Sequence, residues 1–166
     1  MSTSIACRPT PVTPDPVSVP NHRRLRPSTT ILAFDYGGRR IGVAVGQSVT
    51  GSASALGTVA NRDHGPDWPA IERLITEWRP AQLVVGLPLM EDGSDSDMGK
   101  AARRFCAALA RFGLPVEVMD ERYSSLEARE RLVDERRQGL RGRLSKETID
   151  AAAAVVIAER WLAQSH

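Results

Sequence analysis

The sequence predicts an α/β domain: a mixed five-stranded sheet, three antiparallel strands and then βα crossovers, flanked by helices. Three observations predict it. Residues 30–60 hold three strand-like segments joined by short links, which favour antiparallel neighbours. From residue 67 onward helical and strand-like patterns alternate, and helical crossovers favour parallel strands. Gln82 to Leu87 (QLVVGL) is a short apolar run of the kind buried on both faces.

Thr30 to Tyr36 (TILAFDY) reads as the first strand, and Gly37-Gly38 as the turn after it. In the second strand Ile41, Val43 and Val45 alternate with Gly42, Ala44 and Gly46, so one face of the hairpin carries only small residues. A third strand is expected around Ser54 to Ala60. Asp67 and Pro69 then open a helix with Ile71, Leu74, Ile75 and Trp78 on one face, and Pro80 stops it. After the Gln82–Leu87 strand, Met98, Ala102, Phe105, Leu109 and Phe112 fall in helical register, and Gly113 ends that helix. Pro115 to Met119 is the fifth strand. Ser124 and Glu127 fit a capping box for a helix to about Arg137, and Ser145 caps a last helix to about Gln164.

Residues 1–28 contain six of the eleven prolines, few large apolar residues and no periodicity. They are read as a disordered Pro-rich arm, and residues 29–166 as one domain. The arm holds Arg8, Arg23, Arg24 and Arg26 against Asp15, a net +3, whereas residues 29–166 hold 18 basic against 19 acidic residues, a net −1. The pI near 8.8 therefore belongs to the arm and says little about partners. No apolar run exceeds the eight residues Ala151 to Ala158, and no signal-peptide pattern opens the chain. No membrane partner and a cytoplasmic location are expected. Cys7 and Cys106 support neither a disulfide framework nor a metal site. His22, His64 and His166 form no catalytic constellation.

Three acidic positions stand apart from ordinary surface charge. Asp35 ends an apolar strand before a Gly-Gly turn, where a turn-initiating role explains it equally well. Asp120 and Glu121 close the fifth strand, with Arg122 next; an exposed strand end is the alternative. Asp150 begins a stripe that continues through Ala154, Ile157 and Trp161, and a carboxylate at the head of a buried face needs a partner. Its alternative is an interaction with the helix dipole. If these carboxylates converge on one sheet edge they repel one another unless cations neutralise them, and oxygen ligands suit hard ions such as Mg²⁺ or Mn²⁺.

Four segments carry a resemblance over about residues 30–163: FDYGGRRIGVAV from Phe34, VVGLPLMEDGS from Val84, LPVEVMDERYSS from Leu114 and KETIDAAAAVVI from Lys146. In this order and spacing they resemble the YqgF family, also called RuvX-like, described as Holliday junction resolvases and pre-16S ribosomal RNA nucleases of RNase H-like fold. The resemblance implies that Asp35, Glu121 and Asp150 are the catalytic, metal-binding acids. Two departures are visible. Arg39-Arg40 stands where the family commonly has Lys-Arg, and Met90 where it commonly has Asn, which alters the 87–94 loop and leaves the three acids unchanged.

The function the acids and the resemblance imply is hydrolysis of phosphodiester bonds with one or two Mg²⁺ or Mn²⁺ ions; the resemblance alone implies 5′-end processing of pre-16S rRNA during ribosome biogenesis. Holliday junction resolution in DNA recombination is the alternative, and a non-catalytic module bound to ribosomal or transcription components ranks lower. A monomer or a homodimer fits. Phosphate contacts are expected from Arg39, Arg40, Arg122 and Lys146. Arg136, Arg137, Arg141, Arg143 and Lys146 place five positive charges and no acid in eleven residues, a candidate nucleic-acid clamp whose plainer reading is a solvated loop. The DYGGRRIGVAV hairpin also looks like the phosphate-binding hairpin of actin-like ATPases and sugar kinases. Those proteins need a second lobe for which this chain is too short.

Overall fold

In the structure, a computed structural model that describes residues 29–87, 97–120, 124–139 and 145–164, the central strand is β1 (Thr30–Asp35). It pairs antiparallel with β2 (Arg40–Gln47), which pairs antiparallel with β3 (Ser52–Arg62). On its other side β1 pairs parallel with β5 (Gln82–Leu87), and β5 pairs parallel with β6 (Val116–Asp120). The sheet has six strands where five were expected, in the order β4-β3-β2-β1-β5-β6. The added strand is β4 (Gly65–Pro66), which folds back onto Asn61 and Arg62. Gly65, at φ 108°, takes a backbone conformation that L side chains rarely adopt, and a Gly-Pro pair otherwise reads as loop. The arm, 1–28, lies outside the described residues, as do 88–96, 121–123, 140–144 and 165–166.

The helices follow the sequence pattern closely. In α1 (Trp68–Trp78), the Asp67 side chain caps the first turn by accepting from the Ala70 N–H at 3.2 Å, and Arg79 at φ 45° closes the last turn before buried Pro80. Helix α2 (Asp97–Leu109) runs into a 3-10 turn (Ala110–Phe112) that Gly113 ends at φ 71°. Met98, expected on the buried face of α2, is 37% exposed, because it lies in the first turn beside Gly38 instead of over the sheet. Helix α3 spans Ser124–Arg137; the side chains of its proposed capping box lie outside the described residues. The Ser145 hydroxyl accepts from the Thr148 N–H at 3.1 Å and so caps α4 (Lys146–Gln164) as expected.

Strand alternation sorts the core into two layers. Leu32, Phe34, Ile41, Val43, Val45, Leu83 and Val85 face α1 and α2, meeting Ile71, Phe105 and Leu109. Ile31, Ala33 and Val84 face α4, meeting Ile157, Ala158, Trp161 and Leu162. Helix α3 lies against α4, Ala128 against Ala153 and Val156, with Arg131 bonded to Glu159 at 2.8 Å. The Trp161 indole donates to the Glu117 carboxylate on β6.

The small-residue face of β2 points at α4, and it is what lets that helix descend onto the sheet. A Cβ placed on Gly42 would lie 2.0 Å from the Asp150 carbonyl oxygen and 3.0 Å from the Ala151 nitrogen. Both are backbone atoms, so no rotamer change relieves the clash. Gly42→Ala is therefore expected to cost about 3 kcal/mol, the upper end of ordinary overpacking. A Tm unchanged in thermal denaturation would show that the helix does not depend on this contact.

Candidate active site at the sheet edge

The parallel strands β1, β5 and β6 bring their C-terminal ends to one edge of the sheet, in register at Asp35 with Gly86 and Leu87 with Asp120. Strand β2 starts at the same edge with Arg40. Helix α4 starts there too, since Asp150 lies against Gly42, the cross-strand partner of Asp35. Two of the three acids singled out by sequence are thus neighbours across one glycine. Asp35 comes from a strand end and is 8% exposed, while Asp150 comes from the second turn of a helix and its side chain is one-third exposed. Glu121, with Arg122, lies outside the described residues; it directly follows β6 in sequence.

Asp35 has a glycine beside it on both neighbouring strands, Gly42 on β2 and Gly86 on β5. Cross-strand partners share a face, so neither neighbouring strand places a Cβ directly beside Asp35. Sequence reading missed this pair of glycines as a site feature; their meaning depends on a register that only the fold supplies.

Asp150 has the partner its position demands. The Arg40 Nε donates to Asp150 Oδ2 at 2.9 Å, and the Arg40 Nη1 reaches Glu147 Oε1 at 3.4 Å. The Glu147 carboxyl is held below its ordinary value, first by a backbone N–H at the start of α4 and then by the Arg40 guanidinium and the Ser145 hydroxyl. Arg40, expected only as a phosphate contact, is thus the cation that holds the head of α4 to β2. Arg39 and Lys146 are exposed. With Gly37, Gly38, Arg40, Ile149 and Asp150 they line an open hollow of about 310 Å³. Arg137 ends α3 as an exposed residue, and Arg141 and Arg143 lie outside the described residues.

The turn that carries Arg39 is itself held from behind. Asn61 on β3 is 6% exposed; its Nδ2 donates to the Gly37 carbonyl at 2.7 Å and its backbone N–H to the Arg39 carbonyl at 2.9 Å. Nothing in the local sequence marks Asn61, which acts 24 residues from its partner. Burial raises the pKa of the Cys106 thiol, which disfavours the reactive thiolate.

Comparison with known proteins decides the family. The RuvX family, described as Holliday junction resolvase, matches residues 29–164. The chain belongs to the RuvX family. Relatives named "Putative pre-16S rRNA nuclease" include one from Xanthomonas campestris pv. campestris (strain 8004), 47% identical over 145 residues, covering 87% of this chain and 94% of the relative. One from Yersinia pestis (strain Pestoides F) is 50% identical over 133 residues, covering 80% of this chain and 93% of the relative. Among solved structures, Thermus thermophilus RuvC in complex with a Holliday junction substrate aligns at TM-score 0.46 and 18% identity, covering 78% of this chain and 91% of that one. The yeast mitochondrial Holliday junction resolvase Ydc2 aligns at TM-score 0.47 and 11% identity, covering 82% and 80%. RuvX membership agrees with the motif resemblance.

Two substitutions separate the turn's support from its charge. Asn61→Ala leaves a half-buried Gly37 carbonyl without its donor, and should cost about 1–3 kcal/mol in denaturant unfolding. Arg40→Ala removes an ion pair whose side chains are 25% and 33% exposed, and should cost no more than about 1 kcal/mol. Equal costs would show that the two contacts are not divided in this way.

Proposed function

We propose that this RuvX-family protein is a divalent-metal-dependent nuclease that hydrolyses phosphodiester bonds of pre-16S rRNA in the cytoplasm during ribosome biogenesis. The observation that carries the reading is the placement of Asp35 beside Gly42 in the sheet and of the Asp150 backbone over the same Gly42, with Asp150 lining a hollow that Arg39, Arg40 and Lys146 also border. The relatives' shared name supports the substrate.

Among the described residues no three metal-ligating side chains cluster, and the donor set invoked needs Glu121 as its third member. Oxygen-only donors fit Mg²⁺ or Mn²⁺, and the cross-strand partners of Asp35 are both glycine. One or two such ions, when bound, activate water and stabilise the leaving oxygen of an in-line displacement. The chain's own residues prepare that step. Asp35, Glu121 and Asp150 hold the ions; Arg40 orients the Asp150 carboxylate through the bond at 2.9 Å. Arg39 and Lys146 take the substrate phosphate, and Arg122, Arg137, Arg141 and Arg143 extend the cationic track along the nucleic-acid backbone.

The family's description as Holliday junction resolvase supports a second reading, in which the same chemistry acts on branched DNA. Symmetric cleavage of a four-way junction calls for a two-fold dimer with two sites, whereas trimming an rRNA end needs one site. Cleavage of a branched DNA but not of a pre-16S transcript by the purified protein would favour that reading.

Asp35→Asn and Asp150→Asn are expected to fold and to lose metal-dependent cleavage; activity retained in both would remove these acids from the mechanism. Replacing Arg137, Arg141 and Arg143 together should flatten the dependence of log K on log salt for single-stranded RNA by up to about 2, at roughly 0.7 per phosphate contact. An unchanged slope would make the 136–146 segment a solvated loop.

A further inference from the structure

A second hollow, of about 450 Å³, lies on the far side of the Gly37–Arg40 turn from the acids. Its walls are that turn, the reversal between β3 and β4, the start of α1 and one face of α2. Tyr36 and Trp68, both half-buried, form its aromatic floor, packed on Phe105, which is itself 3% exposed: the Trp68 and Phe105 rings stack at 5.7 Å and 27°, and Tyr36 lies 5.3 Å from Phe105. Arg62, Arg104 and Arg111 stand on the rim, and among the described residues that line it Asp63 is the one acid. The Arg111 Cζ sits 3.9 Å from the Trp68 ring centroid.

A closed core does not explain this hollow, because Tyr36 and Trp68 are only half-buried. Nor does ordinary surface charge. Among the described residues none of Arg62, Arg104 and Arg111 is ion-paired with a carboxylate, yet the three converge on one hollow. An aromatic ring beside guanidiniums that have no carboxylate partner, one of them lying over Trp68 and bonded to the Ala108 carbonyl, is what an unstacked base and its phosphate require, because bases stack on guanidinium planes as well as on aromatic rings. The volume suits one small ligand.

The position links this hollow to the acidic edge. Gly38 lines both hollows, and Tyr36 directly follows Asp35. We infer that this hollow is a nucleotide subsite that takes one unpaired nucleotide of the substrate, its base against Tyr36 and the Arg111 guanidinium that lies over Trp68, and its phosphate at the edges of Arg62, Arg104 and Arg111. The strand then crosses Gly38 to reach the acids. The inference rests on the nuclease reading and adds a substrate feature to it: a single-stranded segment beside the scissile bond. A paired base cannot offer its face to the floor, so a continuous duplex does not fill the subsite.

The test is equilibrium binding by full-length protein carrying Asp150→Asn, which blocks turnover, to a short fluorescent single-stranded RNA and to a blunt duplex of the same length. Trp68→Ala should weaken single-strand binding about tenfold, and Trp68→Phe should restore it. Because Trp68 also touches the core, the Arg104→Ala/Arg111→Ala double variant, altered only at the surface, provides the second measurement. It should weaken single-strand binding and lower the salt slope by about 1.4, with duplex binding changed less than twofold. Equal weakening of both ligands by these variants, or no change in either, overturns the subsite. Preserved discrimination by a protein that, with Asp150 intact, cleaves no RNA or DNA would overturn the nuclease reading and uphold the subsite. Cleavage of pre-16S RNA with KM unchanged by the double variant would do the reverse.

Discussion

The approach of α4 to β2 across Gly42 is the constraint on which the rest of the structure depends. A helix backbone comes this close to a sheet only where the strand offers no Cβ, as at Gly42, and Gly42, Ala44 and Gly46 form a lane of small residues along that face. The helix answers with Ala151, Ala154 and Ala158, all buried. The packing energy comes from the large side chains around this lane, Ile31, Ile157, Trp161 and Leu162, while the lane sets the depth at which they engage. That depth also brings the head of α4, and Asp150 with it, to the end of β1. Core packing and site geometry are here one contact.

The acidic edge is neutralised locally by guanidinium groups. Arg40 spans Asp150 and Glu147, so one cation from the sheet serves two carboxylates of the helix. Arg39, its neighbour, is exposed. Two adjacent arginines thus divide their work, one inward to the protein's own acids and one outward to solvent. Asn61 makes the division possible by holding the Gly37 and Arg39 carbonyls, which fixes the turn whatever occupies either hollow beside it.

Much of this was legible in the sequence, for physical reasons. The alternation in IGVAVG showed a small-residue face, and the stripe from Asp150 through Trp161 marked a carboxylate at the head of a buried face. Caps at Asp67, Gly113 and Ser145 are local features and were read correctly. What escaped depends on distant pairs. Asn61 meets Gly37 across 24 residues, and Arg40 meets Asp150 across 110. Strand β4 is too short to show a period, and Met98 fits its helix stripe while lying beyond the sheet it was expected to cover. Nothing in the local sequence marks Trp68; its meeting with Arg111 follows from helix placement.

The far end of the β1–β2 hairpin is built differently. The Thr29 N–H donates to the Ser48 hydroxyl, and the Ser48 N–H donates to the Thr29 carbonyl, both at 2.9 Å. Beyond this clamp Val49 is 66% exposed, and a Cβ on Gly51 would meet nothing within 4 Å. Six residues of strand separate the two ends of β1, roughly 20 Å at the usual rise. A tag, dye or fused domain attached ahead of Thr29, or inserted at residues 49–51, is therefore rooted at the opposite end of the strand from Asp35. The clamp makes this the end of the hairpin at which the chain can be lengthened or labelled with the acidic edge left undisturbed.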